Sequence, residues 1–409
     1  MKSYERLLNY VKINTQSADD LDVIPSTACQ FEFAKVLEKE MKELGLMDVY
    51  VDEFCNVYGK IPATAGMEDV PALGFLAHLD TAPDFSGEQV NPQVIADYDG
   101  GDVVLGESKR VLLVKAFPHL KKLAGRTLIT TDGTTLLGAD DKAGIAEILT
   151  ACERLIESKE PHGMVCVAFT PDEEVGTGAC KLDLKRFGAV YAYTMDGGAE
   201  NELEYENFNA SDAVITFHGV NVHPGDAKDV MVNAAKLAME FQGMLPSDLA
   251  PERTEGYEGF FHLLDMNGTV EQARLHYIVR DHDMEKFREK EALLASITGK
   301  MNEKYGEKTV ELTIKESYRN MKEKIEPCMF LIENVKTAMK AVGMEPEIIP
   351  IRGGTDGAAL SFRGLPCPNL GTGGYCYHGP FEHITAEGME MATSVVEKLM
   401  KNGGRHKWE

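Results

Sequence analysis

The chain has 409 residues, more than a single hydrophobic core usually serves, so two domains are expected. Hydrophobic residues make up 44% and charged residues 26%, near the averages of globular proteins, which argues against a fibrous or disordered chain. The net charge of -24 repels phosphate backbones and anionic lipid surfaces, so we expect neither nucleic acid nor a membrane as a partner.

The N-terminal segment, MKSYERLLNYVKINTQ, carries charges among its apolar residues, which predicts an amphipathic helix rather than a signal peptide. The sequence lacks a run of about 18 uncharged apolar residues, so a membrane span is not expected. The eight cysteines form no Cys-x-x-Cys pair, and Cys166 lies inside an apolar run. These features predict free thiols and a location in the reducing cytoplasm.

Up to about residue 207, short apolar runs alternate with helical patterns. The runs 72–79, 164–170 and 190–195 have the length of buried strands, and each is followed by polar residues. Apolar residues recur at helical spacing over 31–46 and 142–158. Strands that alternate with helices predict an α/β sheet.

After residue 207 the pattern changes to strand, helix, two strands, helix and strand. These predicted elements cover 213–217, 230–245, 259–266, 269–280, 284–304 and 309–315. The order βαββαβ is that of a ferredoxin-like α+β unit. The α/β pattern resumes with a helix over 328–342, so we predict one α/β domain (1–207 and 319–409) with a second domain (208–318) inserted into it.

Polar clusters follow the strands and loops of the first domain. In an open α/β sheet, ligands bind outside the carboxyl ends of the strands, so residues from separate clusters can converge there. Imidazole and carboxylate groups are ligands that Zn²⁺ accepts. The clusters are His78-Leu-Asp80, Gly138-Ala-Asp140-Asp141-Lys142, Asp172-Glu173-Glu174, Met195-Asp196-Gly197 and Tyr377-His378-Gly379.

Each cluster taken alone also has an ordinary structural explanation. His78 and Asp80 can form hydrogen bonds at a strand end, and two aspartates before a helix can cap it. Adjacent glutamates are often a solvated surface pair, and an aspartate before two glycines is often a turn residue. His383 competes with His378 for the place of the second histidine. The occurrence of all five clusters in one domain favours a metal site over these explanations.

The motifs HLDT, GADDKAG, PDEEVGTGA, TMDGG and GGYCYHG, with NVHPGDAK and IRGGTDGA, resemble those of the M20 metallopeptidase family. The resemblance runs nearly the whole length of the chain. It implies a dinuclear zinc catalytic domain with an inserted lid and dimerisation domain, and a homodimer formed through that insert. It also implies an aminopeptidase that releases the N-terminal residue of tripeptides.

The resemblance further implies a role for individual residues. Asp140 would bridge two zinc ions, with His78 and Asp196 completing one site and Glu174 and His378 the other. Glu173 would be the general base. Asp80 would orient His78, and a cis peptide would join Asp140 to Asp141. His383 matches no ligand of the family, so it is interpreted as a surface or packing residue.

Three further residues are candidates for substrate binding. By resemblance, His223 in Val-His-Pro-Gly would stabilise the oxyanion in the site of the partner subunit; the alternative is a loop histidine without a role. Arg280 and Arg352 are alternative ligands for the substrate carboxylate, because a guanidinium group matches a carboxylate in geometry. A structural ion pair explains either arginine as well.

Two other functions compete with this prediction. Another amide hydrolase of the same architecture, such as a dipeptidase, a carboxypeptidase or a deacylase of N-acyl amino acids, would carry the same metal motifs. A catalytically inactive scaffold would keep the fold alone. The presence of Glu173 together with every ligand argues against the scaffold.

Overall fold

The computed structural model describes residues 1–19, 21, 23–106 and 108–402. The α-helices are α1 (Ser3–Tyr10), α2 (Gln30–Leu44), α3 (Ala139–Ser158), α4 (Leu184–Phe187), α5 (Ala234–Gly243), α6 (Met284–Tyr305), α7 (Lys322–Ile325), α8 (Phe330–Ala341), α9 (Asp356–Phe362) and α10 (Ala386–Asn402). The β-strands are β1 (Met47–Val51), β2 (Val57–Ile61), β3 (Leu73–His78), β4 (Gln93–Ile95), β5 (Val103–Leu105), β6 (Arg110–Leu112), β7 (Leu128–Thr130), β8 (Val165–Thr170), β9 (Tyr191–Gly197), β10 (Glu202–Glu204), β11 (Asn209–His218), β12 (Phe260–Gly268), β13 (Gln272–Asp281), β14 (Val310–Tyr318), β15 (Glu347–Ile348), β16 (Asn369–Gly371), β17 (Gly374–Tyr375) and β18 (His383–Thr385).

The larger of two compact units is built on a mixed β-sheet. This unit comprises Met1–Tyr205, Met321–Ile349 and Thr355–Glu409. Its main sheet has the order β1-β2-β8-β3-β9-β16-β10-β15, in which β8, β3, β9 and β16 run parallel. Every residue of β3 and β8 is buried, which is typical of parallel strands covered on both faces. The carboxyl ends of β8, β3 and β9 therefore meet at one edge of the sheet.

Helix α3 packs against β3, β9 and α10 and brings its first residues to this edge. A Cβ atom on Gly144 would lie only 2.2 Å from the carbonyl oxygen of Met195, so glycine permits the close approach of α3 to β9. Asp140 and Asp141 have non-helical backbone angles, and the peptide bond between them is cis, which confirms that prediction.

The smaller unit is an α+β domain that comprises Glu206–Asn320 and Pro350–Gly354. Its antiparallel sheet has the order β12-β13-β11-β14, and α5 and α6 pack against it. Buried and part-exposed residues alternate along β13, as expected of a sheet with one face on the core. Its core includes Phe217, Phe241, Leu275 and Phe287.

The predicted fold class is confirmed: an α/β domain carries an inserted βαββαβ domain. Some predicted elements begin too early. Helix α5 starts at Ala234 rather than at residue 230, because the Asn233 side chain caps it by accepting the Lys236 N–H at 3.2 Å. Residues 269–271 form a turn before β13, in which the Thr269 N–H donates to the Gln272 carbonyl at 2.7 Å.

The segment 350–354 belongs to the smaller unit, although it was predicted within the first domain. The Ile351 N–H donates to the Glu206 carbonyl at 2.8 Å, and Arg352 donates to the loop at 254–258. Residues 403–409 of the predicted first domain lie outside the described residues. Within the described part of the chain, no helix combines the length and apolarity needed to cross a membrane.

Candidate metal centre

The predicted ligands converge where the parallel strands end. His78 is the last residue of β3 and lies opposite Thr170, the last residue of β8. Glu173 and Glu174 follow β8 after a short turn, and Asp196 lies near the end of β9. Parallel pairing alone therefore brings groups from three strands to one edge of the sheet.

Asp140 lies between two histidines. Its Oδ1 atom is 2.9 Å from His78 Nε2, and its Oδ2 atom is 3.3 Å from His378 Nε2. His78 Nε2 is also 3.4 Å from Asp196 Oδ1, and His378 Nε2 is 2.9 Å from Glu174 Oε2. Two ligand atoms bound to one tetrahedral Zn²⁺ lie about 3.3 Å apart. The spacing of these atoms therefore suits two ions that share Asp140.

Two further observations fit bound cations. Among the described residues, Glu174 Oε1 and Asp141 Oδ1 are buried oxygens without a hydrogen-bond partner. The ligand atoms of His78, Asp140 and Glu174 all lie within 4.8 Å of one another, as do those of His78, Asp141 and Asp196. Unpaired buried carboxylate oxygens are costly unless a cation compensates them.

The aspartate at position 80 connects the two halves of this cluster. His78 Nδ1 is 3.1 Å from the Asp80 carbonyl oxygen and 3.3 Å from its Oδ1. The Asp80 carboxylate also accepts the backbone N–H groups of Glu173 at 3.0 Å and Glu174 at 3.2 Å. Asp80 therefore fixes the His78 ring and the backbone that carries both glutamates.

The pKa values of the clustered side chains reflect the crowding of acidic groups. Burial raises the pKa of Glu174 to about 8, with the charge of Asp140 adding to the effect. Burial likewise raises the pKa of Glu173 well above its usual range, and Asp196 adds to it. Hydrogen bonds to Asp140 and Glu174 raise the pKa of His378 to about 11. Divalent cations at this position would relieve the repulsion between the carboxylates.

Glu173 differs from its neighbour in its surroundings. It lines a cavity of about 10 Å³ together with His78, Asp196 and Asp356. A cavity of that size holds about one water molecule. Glu173 therefore lines a water-sized space together with two candidate metal ligands.

Sequence analysis missed two residues that support the cluster. Glu382 is buried, and its carboxylate accepts the backbone N–H groups of Leu137 at 2.6 Å, Gly138 at 2.8 Å and Asp140 at 3.0 Å. Asp356 accepts the Thr170 hydroxyl at 2.7 Å and the Ala179 N–H at 2.8 Å. The motif IRGGTDGA contains Asp356 and was a usable signal. Glu382 bonds only to backbone, which leaves no pattern in the sequence.

His383 is buried rather than exposed, which agrees with a packing role. Its ring lies parallel to those of His119 and Tyr375. Its Nδ1 atom is 2.7 Å from the Phe381 carbonyl oxygen. The structure does not bring it into the ligand groups around Asp140.

The three predicted substrate-binding residues all lie in the smaller unit. Arg352 donates to the carbonyl oxygens of Thr254, Gly256 and Glu258. Arg280 donates to the Arg352 carbonyl at 3.1 Å, and its Nε atom is a buried donor without a partner among the described residues. The His223 side chain is 80% exposed, and its Nδ1 atom accepts the Gly225 N–H at 3.1 Å.

Comparison with known proteins agrees with the fold and the cluster. Residues 205–309 match the model of the peptidase dimerisation domain of the M20 family. A tripeptidase from Staphylococcus aureus is similar with a TM-score of 0.78 at 21% identity, covering 98% of this chain and 97% of that one. A dinuclear metal-binding M20 peptidase from Bacillus subtilis is similar with a TM-score of 0.63 at 16% identity, covering 98% of each chain. The fold and the inserted domain are therefore those of the M20 peptidases.

Curated relatives specify the family within this class. Peptidase T of an Exiguobacterium species is 54% identical over 402 residues, which are 98% of this chain and 97% of the relative. Peptidase T of Listeria monocytogenes is 54% identical over 399 residues, or 97% of each chain. The chain belongs to the peptidase T family.

Proposed function

We propose that the protein is an aminopeptidase that releases the N-terminal residue of tripeptides with the help of two zinc ions. The observation that carries the proposal is the position of Asp140, whose two carboxylate oxygens face His78 and His378 separately. Membership in the peptidase T family supports the choice of substrate. The similar S. aureus protein is itself described as a tripeptidase.

Two sets of residues would hold the ions. His78 and Asp196 would hold one ion, Glu174 and His378 would hold the other, and Asp140 would contact both. Three carboxylates and two neutral imidazoles bring about three negative charges to two Zn²⁺, which leaves a net positive charge at the centre. Bound Zn²⁺ lowers the pKa of a water molecule and polarises a carbonyl group.

Glu173 acts as the general base in this proposal. Its carboxylate takes a proton from the attacking water and later passes that proton to the amine that leaves when the peptide bond breaks. The water-sized cavity that it shares with His78 and Asp196 supports this role. Asp80 holds the backbone that carries Glu173 and Glu174 through the two N–H groups that it accepts.

Arg280 is the better of the two arginines for binding the substrate carboxylate. The guanidinium group of Arg352 is already used by the carbonyl oxygens of the loop at 254–258. Within the described ranges, the Nε donor of Arg280 has no hydrogen-bond partner, and a carboxylate is the group that a guanidinium binds with two parallel hydrogen bonds. A substrate carboxylate that is held at a fixed position would favour peptides of one length.

His223 would stabilise the oxyanion of the partner subunit's site. Its Nδ1 atom accepts a backbone N–H, so the neutral ring carries its proton on Nε2 and can donate it. The exposure of this side chain suits a contact outside its own subunit. We accordingly propose a homodimer formed through the inserted domain, whose family model is named for dimerisation.

We also propose a cytoplasmic location. The eight cysteines are all free, and four of them are buried as thiols. Free thiols persist in a reducing compartment.

A panel of peptides tests the proposed activity. The metal-loaded protein is incubated with Ala-Leu, Ala-Leu-Phe, Ala-Leu-Phe-Val and N-acetyl-Ala-Leu-Phe, and the products are identified by mass. We expect free alanine and a dipeptide from the unblocked tripeptide, with much slower cleavage of the other peptides. Preferred cleavage of the dipeptide, release of the C-terminal residue, or deacylation of the blocked peptide would instead identify a dipeptidase, a carboxypeptidase or a deacylase.

A further inference from the structure

Three metal-binding side chains form a second cluster that the proposed activity does not use. They are His119, Cys376 and His383, and their ligand atoms all lie within 4.8 Å of one another. His119 belongs to a 3₁₀-helix over Pro118–Leu123, Cys376 follows β17, and His383 begins β18. All of them lie in the larger unit, and none belongs to the ligand groups around Asp140.

His383 is oriented as metal-bound histidines are. Its Nδ1 atom is 2.7 Å from the Phe381 carbonyl oxygen, which can only accept a hydrogen bond, so Nδ1 carries the proton. Burial lowers the pKa of His383 to about 4, so the ring is neutral at physiological pH. The lone pair is therefore on Nε2. A histidine whose other ring nitrogen donates to a carbonyl is the usual arrangement in metal sites.

His119 faces that lone pair. The two Nε2 atoms are 2.9 Å apart, and the two rings are parallel within 4°. Two imidazole nitrogens bound to one Zn²⁺ stand about 3.3 Å apart, because each Zn–N bond is about 2.0 to 2.1 Å. The rings meet end to end, with centroids 5.1 Å apart, so one ion can bind both nitrogens only after the rings turn and the nitrogens move apart by a few tenths of an ångström. Tyr375 stacks on His119 at 4.5 Å and holds the ring in plane.

We propose that His119, Cys376 and His383 form an additional, exchangeable site for a divalent cation that accepts sulfur, such as Zn²⁺. Two imidazoles and a thiolate form a softer ligand set than the oxygen-rich centre at Asp140, so the two sites differ in metal preference. His119 and Cys376 are only half-buried, which leaves room for water as a fourth ligand.

Binding at this site has a consequence for the chain around it. The thiol of Cys376 loses its proton to solvent when it coordinates the ion. The ion would then join the segment after β17 to the 3₁₀-helix of His119 and to β18. Because His378 lies two residues after Cys376, the additional ion would anchor the segment that carries a ligand of the dinuclear centre.

Cobalt substitution tests the proposal. The metal-free full-length protein is titrated with Co²⁺, and sulfur-to-cobalt charge-transfer absorption is recorded in the near ultraviolet. The ligands around Asp140 contain no sulfur, so they cannot produce this band. We expect the band in the wild type and in the control Cys180→Ser, whose cysteine is exposed. Cys376→Ser and His119→Ala should lose it while circular dichroism stays unchanged.

A wild type without the band, or a Cys376→Ser protein that keeps it, would contradict the proposal. His119 and His383 would then be a hydrogen-bonded pair only. If Cys376→Ser does not fold, the half-buried His119→Ala decides the question. The variant Asp140→Ala distinguishes this proposal from the proposed function. It should lose the metal of the dinuclear centre and keep the charge-transfer band of the site at Cys376.

Discussion

Glu173 and Glu174 are adjacent in sequence, yet their side chains have different surroundings. Glu174 Oε2 lies 2.9 Å from His378, and its other oxygen is buried without a partner among the described residues. Glu173 lines the water-sized cavity beside His78 instead. The contacts of one residue suit a metal ligand, and those of the other suit a group that handles water.

Replacement of each glutamate should therefore have a different effect. Glu173→Gln should keep both metal ions and lower kcat for a tripeptide by about 10² to 10⁴, the usual contribution of a general base. Glu174→Gln should lower the metal content first, with activity falling as a result. Elemental analysis and steady-state kinetics of the two variants check this, and equal metal loss in both would contradict the division of roles.

A buried glutamate outside the centre gives a test of pH dependence. Glu147 in α3 is fully buried, and neither of its carboxylate oxygens has a partner among the described residues. Burial raises the pKa of Glu147 well above its usual range, and the charge of Glu200 adds to this. Its folded pKa is thus higher than its unfolded pKa. The stability that the protonated group contributes is complete below the unfolded pKa and is lost as pH rises through the folded pKa.

Glu147→Gln should consequently raise the melting temperature at pH 8 and have little effect near pH 4.5, because glutamine cannot ionise. Melting temperatures of variant and wild type over that range provide the measurement. Glu157→Gln in the same helix is the control, since Glu157 is exposed and should show no such trend. A difference that stays constant with pH would refute the prediction.

At the scale of secondary-structure elements, Glu382 connects the loop before β18 to the start of α3. Its carboxylate accepts three backbone N–H groups, including that of Asp140. These bonds fix a backbone segment that departs from helical geometry. The position of Asp140, the proposed bridging ligand, therefore depends on a residue far away in sequence.

Glu382→Gln should weaken metal binding by about 10- to 100-fold, the usual effect of removing a partner of a ligand. Glu387→Gln is a matched control, because Glu387 also accepts a backbone N–H, that of Thr127 at 2.7 Å, which lies outside the ligand cluster. Competition with a chromogenic zinc chelator gives both affinities. Equal affinities in the two variants would show that Glu382 does not position Asp140.

Some features of these elements can be predicted from the sequence, and others cannot. Apolar runs mark β3, β8 and β9 because parallel strands are buried on both faces, and the ligands follow directly from their ends. The Glu382 carboxylate accepts backbone N–H groups of a distant segment, and Pro350–Gly354 joins the inserted domain through its backbone. Such bonds constrain no side-chain pattern, so periodicity and motifs cannot predict them.

At the scale of the whole molecule, the proposed metal ligands lie in the larger unit and the proposed substrate-binding residues lie in the smaller one. The inserted domain contains His223, Arg280 and Arg352, and Arg280 is the residue proposed to bind the substrate carboxylate. An arginine–carboxylate contact contributes about 1.5 to 3 kcal/mol. Length selection should therefore depend on that contact.

Arg280→Ala should lower kcat/KM for free tripeptides by about 10- to 100-fold and have little effect on C-terminally amidated tripeptides. Arg352→Ala should affect both peptides alike, because its guanidinium group supports the loop at 254–258. The ratio of kcat/KM for the free and amidated peptides is the measurement. If neither variant changes that ratio, another group binds the carboxylate.

The central claim is that Asp140 bridges two metal ions, and a comparison of metal content tests it most directly. Wild type and Asp140→Ala are loaded with Zn²⁺, desalted and compared by elemental analysis, with circular dichroism to verify folding. An additional ion at Cys376 would be present in both proteins, so it does not change the difference between their metal contents. The account predicts that the wild type holds two more ions per chain than Asp140→Ala. A folded variant that differs from the wild type by one ion or none would contradict it.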